Sequence, residues 1–365
     1  MAETLEQLWR PMQRQLFPVL TAELGELSDK DRNLVQVLVL LDLEAHARRY
    51  EWKGVGCPPH ERVKILRSFV AKEIYQFSTR EALVTALRGC PTLRRLCGWE
   101  MAYEVPSEST FCRAFAQFAQ DQLPQLIHQT VVQKHCGPKL VGHISRDATA
   151  IEARERPVWA TKAAPAPVVR YKRGRPKKGE QRPAPPVPRV ELQVQRSLAE
   201  NLADLPCQCD SGGKKNSKGH LQFWRGYKLH LDVIDGDIPI GALLTSASTH
   251  DSQAAIPLMQ QSAQRVRSLY QLMDAGYDSV VIRDYVRGLG QVPIVEPKQR
   301  GNWVPLDPAE RRRFHERSAC ERVNSLLKDN HGGRTVRVRG GIKVMCHLMF
   351  GVLIITAINL WNRLC

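Results

Sequence analysis

The sequence predicts an α/β protein: a mixed sheet flanked by helices, preceded by an all-helical N-terminal region. Three observations carry that expectation. Apolar residues recur at helical spacing through most of the first 135 residues. The alternation Tyr227-Leu229-Leu231-Val233, the Asp235-Gly236 turn and the β-rich run after it describe a hairpin. Around that hairpin, strand-like runs ending at Asp147, Asp274 and Val295 are interleaved with helical ones.

Helices are expected between Leu5 and Arg49, where Val35, Val37, Leu38, Leu41 and Leu43 alternate with polar residues. Gly54–Pro59 breaks the pattern, Val63, Ile65, Leu66, Phe69 and Val70 resume it, and Ser78 with Glu81 forms a capping-box pattern for the next helix. After a break at Gly98, Ser107 reads as the N-cap of a helix with Phe111, Phe115 and Phe118 on one face and Arg113 and Gln117 on another. Such a helix suits either a helix-turn-helix lying in a DNA groove or packing alone.

Leu140 to Arg146 reads as a strand with Asp147 at its end, and DATAIEARE brings Glu152 and Glu155 close by. From about Pro157 to Pro188 the chain is rich in Pro, Lys, Arg and Ala and too poor in large apolar residues to build a core, which predicts a flexible insertion. Within it KRGRPKK, with Arg173, Arg175 and Lys177, resembles an AT-hook, whose extended arginines suit a narrow A·T minor groove. After the hairpin, His250-Asp251-Ser252 caps a helix running to about Arg267, a strand ends at Asp274, a helix spans about Ser279–Gly288, and Val292–Val295 is a short strand. The apolar run Val344–Trp361 is short for a membrane span and contains His347 and Asn359, so it reads as a buried helix closing the core. The division expected is a helical domain over 1–135 and an α/β domain over 136–365.

A chain of 365 residues with 43% hydrophobic residues has ample material for a core. Its formal net charge of +16 calls for a polyanionic partner. Nucleic acid fits better than a membrane surface, because no Lys/Arg-rich amphipathic helix with Trp or Phe opposite stands out. The ten cysteines form no CxxC pair, and no secretory signal opens the chain, which suits reduced thiols in a cytosol. Cys207 and Cys209, near His220 and His230, match no usual zinc spacing.

The least accidental pattern is RRRFHERSACERVNSLLK, Arg311 to Lys328. Drawn as one helix, it brings Phe314, Arg317, Glu321 and Lys328 within roughly 60° of one another, with Asn324 at their edge. Ala319, Val323, Leu326 and Leu327 lie largely behind. By spacing alone, a solvated, salt-bridged face is the commoner explanation. Two aspartates at strand ends change the balance, since two strand-borne carboxylates and a helical one are what a two-metal site needs.

These residues resemble the bacterial insertion-sequence transposases of the Asp-Asp-Glu class, whose third motif is Tyr-x2-Arg-x3-Glu-x6-Lys; here Phe314, Arg317, Glu321 and Lys328 stand at the same spacings. DATAIEARE, KRGRPKKGE, CDSGGKKNSKG, WRGYKLHLD, the HDS tripeptide and MDAGYDS also resemble landmarks of the family. The resemblance implies a ribonuclease-H-like catalytic core in which Asp147, Asp274 and Glu321 hold two Mg²⁺ ions, with Mn²⁺ as a substitute. It implies Arg317 and Lys328 on DNA phosphate, joined by the basic run Arg334, Arg337 and Arg339. It further implies end binding or dimerisation by the N-terminal helices, a homodimer on paired DNA ends, and a bacterial cytoplasmic, nucleoid-associated setting. Phe314 departs from the motif by lacking the tyrosine hydroxyl, which weakens DNA positioning without removing a metal ligand.

Two other readings share these residues: a metal-dependent nuclease that does not join strands, and a DNA-binding regulator or decayed transposase that binds ends without cutting.

Overall fold

The computed structural model describes residues 5–157, 187–215, 219–297 and 304–363. The N-terminal part is helical, with longer helices α1 (Asp29–Leu41), α2 (Arg62–Ile74), α3 (Arg80–Gly89), α4 (Glu108–Gln120) and α5 (Leu123–His135). Ser28 caps α1 in a reciprocal box with Asp31, whose amide donates to Ser28 Oγ at 3.2 Å. For α3 the cap lies one residue later than expected: Thr79, not Ser78, accepts from the Ala82 amide at 3.0 Å. Ser107 does precede α4, and Phe111, Phe115 and Phe118 on that helix are buried around Phe69.

The sheet is built from β1 (Leu140–Glu152), then, after short helices α6 (Arg189–Gln195) and α7 (Leu198–Asp204), β2 (Asp210–Lys215), β3 (Leu221–Ile234) and β4 (Ile238–Ser246). Helix α8 (Ser252–Ala263), β5 (Arg267–Met273), α9 (Val280–Gly288) and β6 (Val292–Val295) complete it. β4, β3 and β1 are antiparallel neighbours, and β5 and then β6 continue the sheet parallel to β1. β2 pairs only with the first part of β3. Gly236 and Asp237 carry the β3–β4 turn at φ 84° and 57°, the left-handed region a tight hairpin requires.

Three expectations need correction. β1 does not stop at Asp147 but continues to Glu152, because Ala148, Ala150 and Ile151 keep pairing with β3. Arg311–Lys328 is not one helix: α10 (Pro308–Phe314) gives way to a 3₁₀ turn at His315–Arg317 before α11 (Ser318–Asn330). Helix α8 ends at Ala263 rather than near Arg267, which already begins β5. The basic tract with Arg173, Arg175 and Lys177, and nearly all of the 157–188 insertion that carries it, lies outside the described residues.

The last apolar run forms α12 (Gly341–Asn362), and 72% of its most apolar window is buried inside the fold. It packs against α1, α2, α4, α5, α11 and β4. One apolar cluster therefore joins Leu34, Phe69, Phe111 and Ile127 of the N-terminal helices to Ile144, Ile238, Phe350 and Ile354. The β3–β4 bulge beside Val233 adds polar ties, since the Pro239 carbonyl accepts from His128 of α5 at 3.0 Å and from Thr356 of α12 at 3.3 Å. Burial holds the His128 imidazole down to about 3, so it serves as a neutral structural group.

Candidate active site

Successive residues of a strand point to opposite faces of the sheet, and at β1 the two faces differ sharply. On one face Leu229, Leu231 and Val233 pack with Ala319, Val323 and Leu327 of α11 and with α12. Asp147, opposite Leu231, belongs to this face. On the other, Arg146 lies opposite Asp232, and their side chains pair at 2.6 Å with exposures of 1% and 0%. Ser262 of α8 donates to the same Asp232 oxygen at 2.6 Å.

Asp147 and Asp274 come together through strand pairing. Arg146 is in register with Met273 of the parallel β5, so the next residue on each chain is an aspartate at the end of that ladder. Asp274 accepts from the Gly276 amide at 2.9 Å, and a Cβ at Gly276 would lie 2.9 Å from the same oxygen, so a larger residue there would displace the Asp274 carboxylate. Beneath them Tyr277 is buried, its hydroxyl without a hydrogen-bond partner; burial and the charges of Asp251 and Asp147 push that hydroxyl well above its usual pKa.

Helix α11 and the turn before it supply the rest. Ser145 donates to the Glu316 carbonyl at 3.1 Å, which fixes the 3₁₀ turn over β1. That turn brings Arg317 to 3.9 Å from Asp147 Oδ1 and into an ion pair with Glu321. The Arg317 guanidinium also lies 5.6 Å from the Phe314 ring centroid. Asn324 donates from Nδ2 to Asp147 Oδ2 at 3.1 Å, while its own Oδ1 is buried without a partner. Arg317 thus places a positive charge between Asp147 and Glu321. Among the described residues no three His, Cys, Asp or Glu side chains are gathered into a metal-holding group, and the Glu321 carboxylate is paired with Arg317.

The electrostatics follow from this packing. Burial pushes the Asp147 carboxyl up to about 6; Asp274 adds to the rise, while Arg317 and Lys214 oppose it. Lys328, one face-turn along α11, has its ammonium pulled below its usual range by burial and by Arg334 and Lys214. Lys214, on the edge strand β2, is a cation that motif spacing did not single out; its only signal was the lysine-rich CDSGGKKNSKG. The run Arg334, Arg337 and Arg339 does not form one patch. Arg334 pairs with Asp329 at 2.8 Å, whereas Arg337 and Arg339 line a separate cleft.

The family model described as transposase DDE domain matches residues 144–359, and a second, described as a transposase domain (DUF772), matches residues 22–117. The chain belongs to the insertion-sequence DDE transposases. No match is found among curated proteins or among solved structures. The strand arrangement of this transposase is the ribonuclease-H-like one, with β1 central and the aspartates on β1 and after β5. Transposases of this family act on DNA and use divalent metal. The residues here suit such an ion: two neighbouring carboxylates, one partly desolvated and raised in pKa, with the unpartnered Asn324 oxygen beside them.

Proposed function

We propose that this transposase cuts DNA at the ends of its element and joins the resulting 3′-hydroxyl to target DNA, with Asp147, Asp274 and Glu321 as the residues that hold two divalent ions, Mg²⁺ or Mn²⁺. The observation that carries the reading is the pair Asp147 and Asp274, juxtaposed at the end of a parallel ladder, with burial holding the first at about 6. A buried carboxylate beside another is costly unless a cation joins it. Bound there, divalent metal activates water and neutralises charge on the scissile phosphate.

The chain's own groups position the substrate. Arg317 and Lys328 project beside the aspartates and hold the phosphate backbone, and Asn324 orients Asp147. For Glu321 to join the aspartates, Arg317 must release it, and an incoming phosphate offers the guanidinium a competing partner. The N-terminal helices serve end binding or dimerisation in a synaptic homodimer, with 1–135 and 136–365 as the functional divisions. Arg173, Arg175 and Lys177 add minor-groove or backbone contacts.

The test is cleavage of a labelled duplex carrying the element's terminal repeat, with Mg²⁺, with Ca²⁺, and with Asp147→Asn as control. Cutting that requires Mg²⁺ and Asp147 and leaves a 3′-hydroxyl is expected, as is joining of a pre-cut end to a second duplex. Glu321→Gln is expected to bind the duplex without cutting it; retained cutting would remove Glu321 from the triad. Cutting without joining is the outcome for a plain nuclease. A regulator that binds ends without cutting has one observation in its favour, the missing hydroxyl at Phe314, and specific binding with no cutting in Mg²⁺ or Mn²⁺ would establish it.

A further inference from the structure

Away from the aspartates, five cations converge on a cleft of about 370 Å³. Arg80 comes from the first turn of α3, Arg154 from the exit of β1, Arg337 and Arg339 from the segment between α11 and α12, and Lys343 from the first turn of α12. Glu155 holds two of these segments together, accepting from the Gly340 amide at 3.0 Å and from the Tyr227 hydroxyl at 2.5 Å. Phe115 and Val338 give the cleft apolar walls.

Direct ion pairing there is sparse, with Glu73, Glu81 and Glu108 set back in the adjoining pocket that shares Arg80, Arg154 and Arg337. Arg80 faces Glu108 at 3.8 Å, but Arg154, Arg337, Arg339 and Lys343 have no carboxylate within ion-pair distance among the described residues. Segments far apart in sequence thus gather like charges in one concave place. An anionic ligand long enough to touch several of them would relieve their mutual repulsion.

We propose that this cleft is a second DNA-backbone site that grips the duplex away from the cleavage point and without reading bases. The inference rests on the transposase reading above and adds a location. Arg154 stands seven residues beyond Asp147 on the chain that forms β1. β1 ends at Glu152 and the chain bends before Arg154, so roughly 23 Å, the fully extended span, is the most that separates the two backbones. The phosphates held in the cleft therefore lie within about one helical turn of the scissile one. The polar donors of the cleft are Arg and Lys side chains, the groups that most often hold phosphate oxygens, and the scrambled duplex below separates backbone gripping from guanine reading.

The experiment compares the full-length protein with the triple variant Arg154→Gln/Arg337→Gln/Lys343→Gln. Binding to a fluorescein-labelled terminal-repeat duplex and to a scrambled duplex of equal length is measured over a salt series without divalent metal. The variant is expected to lose affinity for both duplexes alike, with the slope of log K against log salt shallower by about 2–3. A triple Arg154→Lys/Arg337→Lys/Lys343→Arg variant, which keeps the charges, is expected to retain the wild-type slope. A scan of single methylphosphonates, which remove one backbone charge each, is expected to show interference at a position separate from the cleavage site but within about one helical turn of it in the wild type, and none there in the glutamine variant. Wild-type affinity and slope in the glutamine variant would overturn the proposal, and so would a loss confined to the terminal repeat, which would mean base reading. If the unaltered protein binds neither duplex at low salt, the transposase reading fails and the cleft with it; an intact active-site response with an unaffected cleft variant sinks the cleft alone.

Discussion

Arg146 and Asp147 are adjacent on one strand and teach opposite lessons about charge in a protein. Arg146 is fully buried, but Asp232 directly across the ladder and Ser262 from α8 meet its charge and that of its partner. Asp147 is less buried, with 21% side-chain exposure, yet it is the uneasy one, raised in pKa beside Asp274 with its ion-pair partner Arg317 at 3.9 Å and shared with Glu321. One face of the sheet spends its charges on holding strands together. The other keeps a carboxylate in a state that an incoming cation improves.

The largest effect that sharpens this contrast is on catalysis. Asp147→Asn keeps the shape and removes the charge, and cleavage of the terminal-repeat duplex is expected to fall by at least about three orders of magnitude, the several kcal/mol that metal-ion charge stabilisation supplies. On the opposite face, Asp232→Ala leaves the Arg146 guanidinium buried and unpaired. A loss of about 3–5 kcal/mol in urea unfolding is expected, and much of it should return in the double variant Arg146→Met/Asp232→Leu, which removes both charges.

The next effect is in pH. Because folding raises the Asp147 pKa from its usual value near 3.8 to about 6, the unfolded chain gives up that proton first. The stability this group contributes is fully present below about pH 4 and is lost as pH rises through about 6, a decline of up to about 3 kcal/mol. In metal-free urea unfolding at several pH values, Asp147→Asn is expected to abolish that decline and to be the more stable protein at pH 7. If the variant tracks the wild type at every pH, Asp147 is not the strained group described here. The smallest effect is at the motif's departure: Phe314→Tyr restores one hydroxyl near Arg317 and is expected to tighten DNA binding by about 1 kcal/mol, the worth of one hydrogen bond.

Much of this arrangement was legible in the chain. The β3–β4 hairpin, the strand before Asp274 and the α11 face with Glu321 and Lys328 follow from period and turn chemistry. The run of β1 past Asp147 was harder to read, because Asp147, Thr149 and Glu152 are polar, and only pairing with β3 makes them a strand. The 3₁₀ turn at His315–Arg317 was hidden for a similar reason: nothing in HER breaks a helix locally, and the Ser145 hydroxyl that bonds Glu316 comes from 171 residues away. Strand β2, DSGGKK, has neither β-branched nor large apolar residues and exists as an addition to β3. The Arg146–Asp232 pair could not be seen either, since each residue alone reads as surface charge.

Helix α12 also imposes an order on the making of the molecule. Its Phe350 and Ile354 complete the apolar cluster shared by α1, α2 and α4, yet they are translated more than 200 residues after those helices. While synthesis continues, the N-terminal helices wait with an unfilled centre, and the basic cleft lacks the segment that brings Arg337, Arg339 and Lys343. The cleft is therefore among the last parts of the molecule to form, well after the helix that carries Arg80.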